Sequence, residues 1–226
     1  MSLTTGRGPL SARPAGRFSA PVPRELVYVE PFRRRVRGLL GDRTVVDSER
    51  VLLVHRQGEP PGFAFPSPDI EGVASEAEPA AAGYVRIQWN DVDAWFEEDE
   101  QIFMHPRNPY HRVDCVRTNR RLRVEIGEVV LVDTTETIGV YETSLEPRLY
   151  VAREHVQFDL LHASTTTTYC PYKGTASYWN AVIGDTVVHD VAWSYEDPLP
   201  ESSAIAGRLG FDQERASVRQ DLPPAG

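Results

Sequence analysis

The residues best suited to chemistry lie in one short stretch in the second half of the chain. Residues 169–179 read Tyr-Cys-Pro-Tyr-Lys-Gly-Thr-Ala-Ser-Tyr-Trp, which places a cysteine, a lysine, three tyrosines and a tryptophan within 11 residues. Pro171 restricts φ and Gly174 permits a positive φ, so this stretch predicts a tight turn. Such a turn would present Cys170 and Lys173 from a rigid platform.

Lys173 is the only lysine among the 24 basic residues of the chain; the other 23 are arginines. A lysine in an arginine-rich sequence indicates a position that needs a compact, titratable ammonium group. Lys173 would then bind a carboxylate or phosphate, or act as a base or Schiff-base former. The alternative is an ordinary surface lysine.

Two further residues are candidates for catalysis beside Lys173. Cys170 would be a nucleophile if the nearby ammonium group lowered the pKa of its thiol; the alternative is a small, buried and inert cysteine. Asp197 would pair with Lys173 as a catalytic carboxylate. Because Asp197 precedes Pro198, it would alternatively cap the turn that follows.

Six aromatic and cationic residues are the candidate ligand-binding residues. Arg148 and Tyr150 lie two apart on a predicted strand and therefore on one face; the alternative is surface decoration. Tyr172, Trp179 and Tyr195 could stack on a ligand. Trp193 completes the set, although a place in the core is an alternative for this tryptophan.

Metal and cofactor sites are not predicted. His105, His111, Asp114 and Cys115 were weighed as metal ligands, but their spacing matches no metal motif, and a loop with two exposed histidines is the simpler interpretation. Two cysteines cannot form a four-cysteine zinc site. The sequence contains no G-x-G-x-x-G, Walker, H-E-x-x-H or G-x-S-x-G motif. We therefore expect neither a metal nor a cofactor.

Charge and composition limit the partners. The net charge is −9, although residues 1–40 hold eight arginines and two acids; an acidic body argues against nucleic acid as the main partner. No apolar run approaches the roughly 20 residues that span a bilayer. Without an apolar signal segment near Met1, and with only two cysteines, a cytoplasmic protein is expected. The oligomeric state cannot be predicted.

An internal repeat determines the predicted domains. Val36–Ser48 aligns without a gap with Leu122–Thr134, 86 residues later, and both read as strand, two-residue turn and strand. Ala94–Asp99 matches Ala192–Asp197 at an offset of 98, which would place 12 extra residues in the second copy. We predict a flexible basic leader at 1–30, a degenerate first repeat at 31–121 and a motif-bearing repeat at 122–222.

The predicted fold class is all-β, with two tandem small antiparallel domains. Short runs rich in Val, Ile, Thr, Tyr and Trp alternate with turn signals, as is typical of antiparallel sheets. At most one or two short helices are expected. One of them would lie at 200–207, where Pro200 stands near the start and Gly207 just past the end.

The second copy resembles the family known as domain of unknown function 427. The resemblance rests on Cys170–Gly174, on the Tyr178-Trp179 pair that follows, and on Ala192–Pro198. It implies a compact β fold similar to the Mss4-like or β-tent architecture. Zinc-binding relatives of that architecture use paired C-x-x-C knuckles, which this chain lacks. The family is also labelled nucleotidyltransferase-like, but no phosphate-cradling loop supports that label here.

Two functions are consistent with these residues. In the first, the second repeat holds a pocket for a small polar or anionic molecule, bound by Lys173 and Arg148, with Cys170 or Asp197 supplying covalent chemistry or proton transfer. In the second, the protein is a non-catalytic binding or protein-interaction module with a structural first repeat.

Overall fold

The structure, a computed structural model, describes residues 3–22 and 25–222. Antiparallel strands dominate these residues, and their helices are all short 3₁₀ segments. The five segments are Ser67–Asp69, Trp89–Asp91, Arg153–His155, Phe158–Leu160 and Pro200–Ile205. The all-β prediction is therefore confirmed, and so is the short helix at Pro200. None of these helices is long and apolar enough to cross a membrane.

The chain divides into two compact units, with the boundary between His111 and Arg112. The first unit contains two antiparallel sheets, ordered β1-β4-β5-β7-β6 and β3-β2-β8-β9. Its strands are β1 (Val27–Phe32), β2 (Val36–Leu40), β3 (Arg43–Ser48), β4 (Val51–Arg56), β5 (Gly62–Pro66), β6 (Glu76–Ala77), β7 (Tyr84–Arg86), β8 (Ala94–Glu97) and β9 (Glu100–Ile102).

The second unit also contains two sheets, ordered β10-β13-β14-β18-β17-β16-β15 and β12-β11-β19. Its strands are β10 (Val113–Thr118), β11 (Leu122–Ile126), β12 (Val129–Thr134), β13 (Thr137–Glu142), β14 (Arg148–Val151), β15 (Leu161–Cys170), β16 (Gly174–Ile183), β17 (Thr186–Ser194), β18 (Leu209–Phe211) and β19 (Ser217–Gln220).

Strand positions and pairings of the first unit recur 86 residues later in the second. The bounds of β1 to β4 become those of β10 to β13, and the partners Val27 and Arg56 become Val113 and Glu142. Both predicted two-residue hairpins are present, since Leu40 pairs with Arg43 and Ile126 with Val129. Gly41 and Gly127 supply the positive φ that such turns require.

The match at an offset of 98 does not describe equivalent positions. Trp95 lies in β8, which pairs with β2, whereas Trp193 lies in β17, between β16 and β18. The strand that pairs with β11 in the second unit is β19. The shared Ala-Trp-x-x-Glu-Asp sequence reflects a strand that is followed by an acidic turn. This local pattern does not determine which strand pairs with it.

Two predicted boundaries also move. Residues 113–118 form β10, which pairs with β13, so the second unit begins about ten residues before the predicted 122. The predicted leader ends inside β1, because that strand begins at Val27. Thr4 in the same segment is buried, and its Oγ1 donates a hydrogen bond to the Glu59 carbonyl at 3.1 Å. Pro23 and Arg24 lie outside the described residues.

The seven-stranded sheet of the second unit packs a different cluster on each face. Strand alternation in β14 sends Leu149 and Val151 into the larger core, which also contains Leu122 and Leu131 of the smaller sheet. Tyr150 points to the opposite face, into a cluster with Ile138. The second face carries the candidate site.

Candidate ligand-binding site

The turn from Cys170 to Gly174 has the tight geometry that the sequence predicts. The Lys173 N–H donates to the Cys170 carbonyl at 3.2 Å, and Gly174 adopts a φ of +93°. A side chain at Gly174 would also approach the Asp197 carbonyl oxygen to 3.4 Å. Glycine is therefore favoured by the backbone conformation, while a side chain here would make only an ordinary van der Waals contact with the neighbouring segment.

The segment after β17 binds this turn to the rest of the unit. The Leu199 N–H donates to the Lys173 carbonyl at 3.1 Å, and Ser202 Oγ donates to the Tyr172 carbonyl at 3.4 Å. Ser202 is fully buried. These bonds hold the backbone on both sides of the Lys173 side chain, so the ammonium group occupies a defined position.

Lys173 is a buried residue whose partner is Glu142, not Asp197. Its Nζ donates to Glu142 Oε2 in an ion pair whose side chains are 10% and 9% exposed. The ammonium group also lies 6.0 Å from the centre of the Tyr195 ring. Burial of both charges makes the pairing obligatory, because either one alone would be an uncompensated charge in a poorly hydrated place.

The Lys173–Glu142 pair borders a cavity of about 440 Å³. Five of the residues singled out from the sequence line it: Arg148, Tyr150, Lys173, Trp193 and Tyr195. Five lining residues escaped sequence analysis: Val140, Glu142, Leu145, Glu146 and Tyr178. The volume is within the range of about 300–1,000 Å³ that is typical of small-molecule sites.

The Arg148 guanidinium lies over an aromatic residue that lines the cavity. Its Cζ is 5.4 Å from the centre of the Trp193 ring, and its Nη1 makes a long 3.5 Å hydrogen bond to the Phe211 carbonyl. Trp193 is held in turn by its Nε1–H, which donates to Tyr150 Oη at 2.7 Å. Within the described residues Arg148 forms no ion pair, in contrast to Lys173.

The two buried tyrosines of the cavity remain neutral phenols at physiological pH. Burial is the largest cause that raises the pKa of Tyr150, partly offset by the hydrogen bond from Trp193. Burial likewise raises the pKa of Tyr195, and the neighbouring Tyr150 adds to the effect. The phenolic O–H groups therefore serve as hydrogen-bond donors rather than as anions.

Four of the candidate residues lie outside the cavity. Cys170 and Tyr172 pack against the hydrophobic cluster that includes Tyr150 and Tyr195, but they do not line the open space. Asp197 is exposed, and only its backbone carbonyl lies near the turn at Gly174. Trp179 packs on the opposite face of the sheet, against the larger core.

Trp179 belongs to a separate polar network. Its Nε1–H donates to Ser194 Oγ at 2.9 Å, and the Ser194 hydroxyl donates to Glu196 Oε1 at 2.6 Å. Arg153 donates to the same carboxylate oxygen at 2.5 Å and lies 5.0 Å from the centre of the Trp179 ring. Alternation along β16 explains the difference from Tyr178, because adjacent residues of a strand face opposite sides.

The missed residues had little signal in the sequence. Glu142 is remote from the motif along the chain and looks like any strand-end acid. The one available clue was that a buried lysine needs an anion. Tyr178 stands beside Trp179 in the motif, and alternation alone could not decide which of the two would face the cavity.

The two histidines considered as metal ligands, His105 and His111, are half-buried rather than exposed as predicted. His105 Nδ1 forms a 2.8 Å hydrogen bond with the Pro106 carbonyl, and burial lowers the pKa of this imidazole. Asp114 and Cys115 lie in β10, where burial raises the pKa of the Cys115 thiol. Over residues 3–22 and 25–222, no group of three or more His, Cys, Asp or Glu side chains could hold a metal ion.

Residues 114–221 match a family model described as a domain of unknown function (DUF427). The matched range lies within the second unit and includes the turn, the cavity and the Lys173–Glu142 pair. A search of curated proteins finds no match to this chain. The similarity thus covers the part of the chain that holds the cavity and does not extend to the first unit.

Proposed function

We propose that the second unit binds a small anionic molecule in the cavity beside Arg148 and Lys173. The single observation that carries the proposal is Arg148: its guanidinium lies over the Trp193 ring, at a cavity of ligand size, with no carboxylate partner among the described residues. A pre-positioned arginine without an acid partner is suited to a carboxylate or phosphate.

The Lys173–Glu142 pair has a different part in this site. Because each charge satisfies the other, the pair presents little net charge to the cavity. The pair gives the cavity a fixed polar wall, and Glu146, Arg148, four aromatic residues and two aliphatic residues form the rest of the lining. The Tyr150 and Tyr195 phenols add hydrogen-bond donors or hydrophobic surface beside it.

Catalysis is the second candidate, and Lys173 with Glu142 would supply the proton transfer. Among the described residues that line the cavity there is neither a cysteine nor a histidine. The nucleophilic role predicted for Cys170 therefore has no support from this geometry. If catalysis does use Cys170, Cys170→Ser should abolish it; a binding site without that thiol should keep its affinity.

The binding test uses a matched pair of arginine variants. Phenyl phosphate is the anionic aromatic probe, and benzyl alcohol is its neutral control, with binding measured by calorimetry. We expect Arg148→Gln to weaken phenyl phosphate binding by about tenfold or more, the cost of a lost charge-assisted hydrogen bond. Arg153→Gln also removes an arginine that lies on a tryptophan, but outside the cavity, and should leave the affinity unchanged.

Four results would contradict the proposal. The first is that phenyl phosphate does not bind the unmodified chain. The second is that Arg153→Gln weakens phenyl phosphate binding as much as Arg148→Gln does. Equal affinity for benzyl alcohol would show that the anion is not recognised. Crystals or NMR shifts that place the probe away from Trp193 would have the same meaning.

We also propose that the two units arose by duplication. The recurrence of four strands, two hairpins and their bulges at one offset supports this origin. The Mss4-like or β-tent architecture of each unit is likewise an interpretation that rests on the resemblance of the motif. A structural comparison of the separate units, expressed individually, would test both ideas.

A further inference from the structure

The first unit contains a cavity of its own, although the sequence pointed only to the second. The space has a volume of about 310 Å³. Four of its lining side chains are aromatic: Phe63, Phe65, Trp89 and Trp95. Small-molecule sites begin at about 300 Å³, so a ligand here would be compact, with one or two rings.

Three of the four aromatic rings are stacked, and the fourth, Phe63, is tilted by 50° to the Trp95 ring. The Trp95 ring lies within 5° of the Phe65 plane, with centroids 5.8 Å apart, and within 25° of the Trp89 plane, with centroids 5.4 Å apart. Trp95 Nε1–H donates to the Trp89 carbonyl at 3.0 Å, which fixes both residues. Trp95 is only 3% exposed, whereas Trp89 is half-buried.

Two guanidinium groups border the same space, and each is already partly neutralised. Arg56 Nη2 donates to both carboxylate oxygens of the buried Glu78. Arg86 donates through Nε and Nη2 to Glu76 Oε2, at 3.2 and 3.0 Å. The Nη1 group of each arginine takes no part in these ion pairs. Its N–H groups can therefore donate hydrogen bonds to a ligand, while the glutamate balances the charge of the guanidinium.

The remaining polar lining adds no cation. Burial lowers the pKa of His105, so this imidazole is neutral at pH 7. Met104, 57% exposed, lines the cavity with a flexible apolar side chain. Such a side chain adapts to a flat ligand surface and favours contacts with aromatic rings.

We propose that this cavity binds a neutral, planar aromatic molecule with a carbonyl acceptor, such as an aromatic amide. The half-buried ring of Trp89, supported from behind by the buried rings of Trp95 and Phe65, selects a flat apolar body. The guanidinium N–H groups outside the ion pairs donate to the carbonyl. An anionic ligand gains less, because Glu76 and Glu78 already neutralise both arginines and Glu59 adds a further carboxylate to the lining.

The probe is 2-naphthamide, compared with 2-naphthoate and with the saturated decalin carboxamide, by equilibrium dialysis of the full chain. We expect saturable binding of 2-naphthamide at one site and weaker binding of both comparison compounds. Trp89→Ala should weaken 2-naphthamide by about tenfold, the upper range of an aromatic pair. The backbone carbonyl that anchors Trp95 survives this change.

Arg86→Met keeps the apolar stem and removes the donors, so it should weaken 2-naphthamide but not the parent hydrocarbon naphthalene. The matched control is Arg35→Met, which removes an exposed arginine paired with Asp47 elsewhere in the unit. Arg35→Met should bind as the unmodified chain does, and Arg148→Gln in the second unit should also have no effect. That last variant separates this proposal from the one for the second unit.

Several results would overturn the inference. They are a lack of saturable binding by 2-naphthamide, equal binding of the decalin analogue, or tighter binding of 2-naphthoate. Unchanged affinity in both Trp89→Ala and Arg86→Met would do the same. If Trp89→Ala does not fold, Arg86→Met decides alone, because its ion pair is solvent-exposed and contributes little to stability.

Discussion

Removal of one charge from the Lys173–Glu142 pair should destabilise the second unit far more than removal of both. Water reaches only about a tenth of either side chain. Lys173→Met leaves the Glu142 carboxylate buried without its cation, and breaking such a pair costs about 3–5 kcal/mol. The double variant Lys173→Met/Glu142→Leu has no orphan charge and should recover most of that loss.

The Arg153–Glu196 pair is the control, because its side chains are 38% and 50% exposed. Exposed pairs contribute about 0–1 kcal/mol, so Arg153→Gln should cost far less than Lys173→Met. Urea unfolding would measure the free energies, and hydrogen exchange of β13 and β16 amides would assign them to the second unit. Additive losses in the double variant, or a loss below about 1 kcal/mol for Lys173→Met, would refute a buried, mutually dependent pair.

Three further changes test other parts of the second unit. Gly174→Ala should lower the melting temperature because φ is +93°, while Gly62→Ala, which lies outside the positive-φ region and has open space around it, should not; equal effects would contradict the assigned turn. The pKa values of Tyr150 and Tyr195 are raised in the folded state, so their contribution to stability is complete below pH 10 and is lost as pH rises above it. Absorbance at 295 nm should show that at least two phenols, those of Tyr150 and Tyr195, ionise only on unfolding, and early ionisation of all tyrosines would exclude their burial. Hydrogen bonds from Arg121, together with Arg123, lower the pKa of Asp133 from 3.8 to about 2, so Asp133→Asn should flatten the loss of stability between those pH values in an acid titration; an unchanged acid limb would show that the ion pairs do not form.

Local chemistry explains what the sequence could predict. Gly41 and Gly127 occupy hairpin positions that demand a positive φ, and apolar residues such as Val and Leu are frequent on both sides of each, so strand and turn could be predicted together. The turn at Pro171 and Gly174 was predicted for the same reason. These features depend on neighbours in the chain, and the structure confirms them.

Features that depend on strands distant in the chain could not be predicted from the sequence. The partner of Lys173 comes from β13, 31 residues earlier, and no local pattern marks Glu142 as its anion. Trp95 and Trp193 share a local motif but lie in strands with different neighbours. Trp179 faces away from the cavity because of strand alternation whose phase the sequence did not determine. Pairing between strands determines these positions, and the local sequence of one strand predicts its pairing partner only weakly.

The burial of Lys173 has a practical consequence for protein labelling. The chain has a single ε-amine. It belongs to Lys173, a residue that is only 8% exposed, and it is paired with Glu142. Amine-reactive crosslinkers and acylating dyes should therefore leave the side chains of the folded protein unmodified. Acylation of Lys173 would therefore report that the Cys170–Gly174 turn had opened in that molecule.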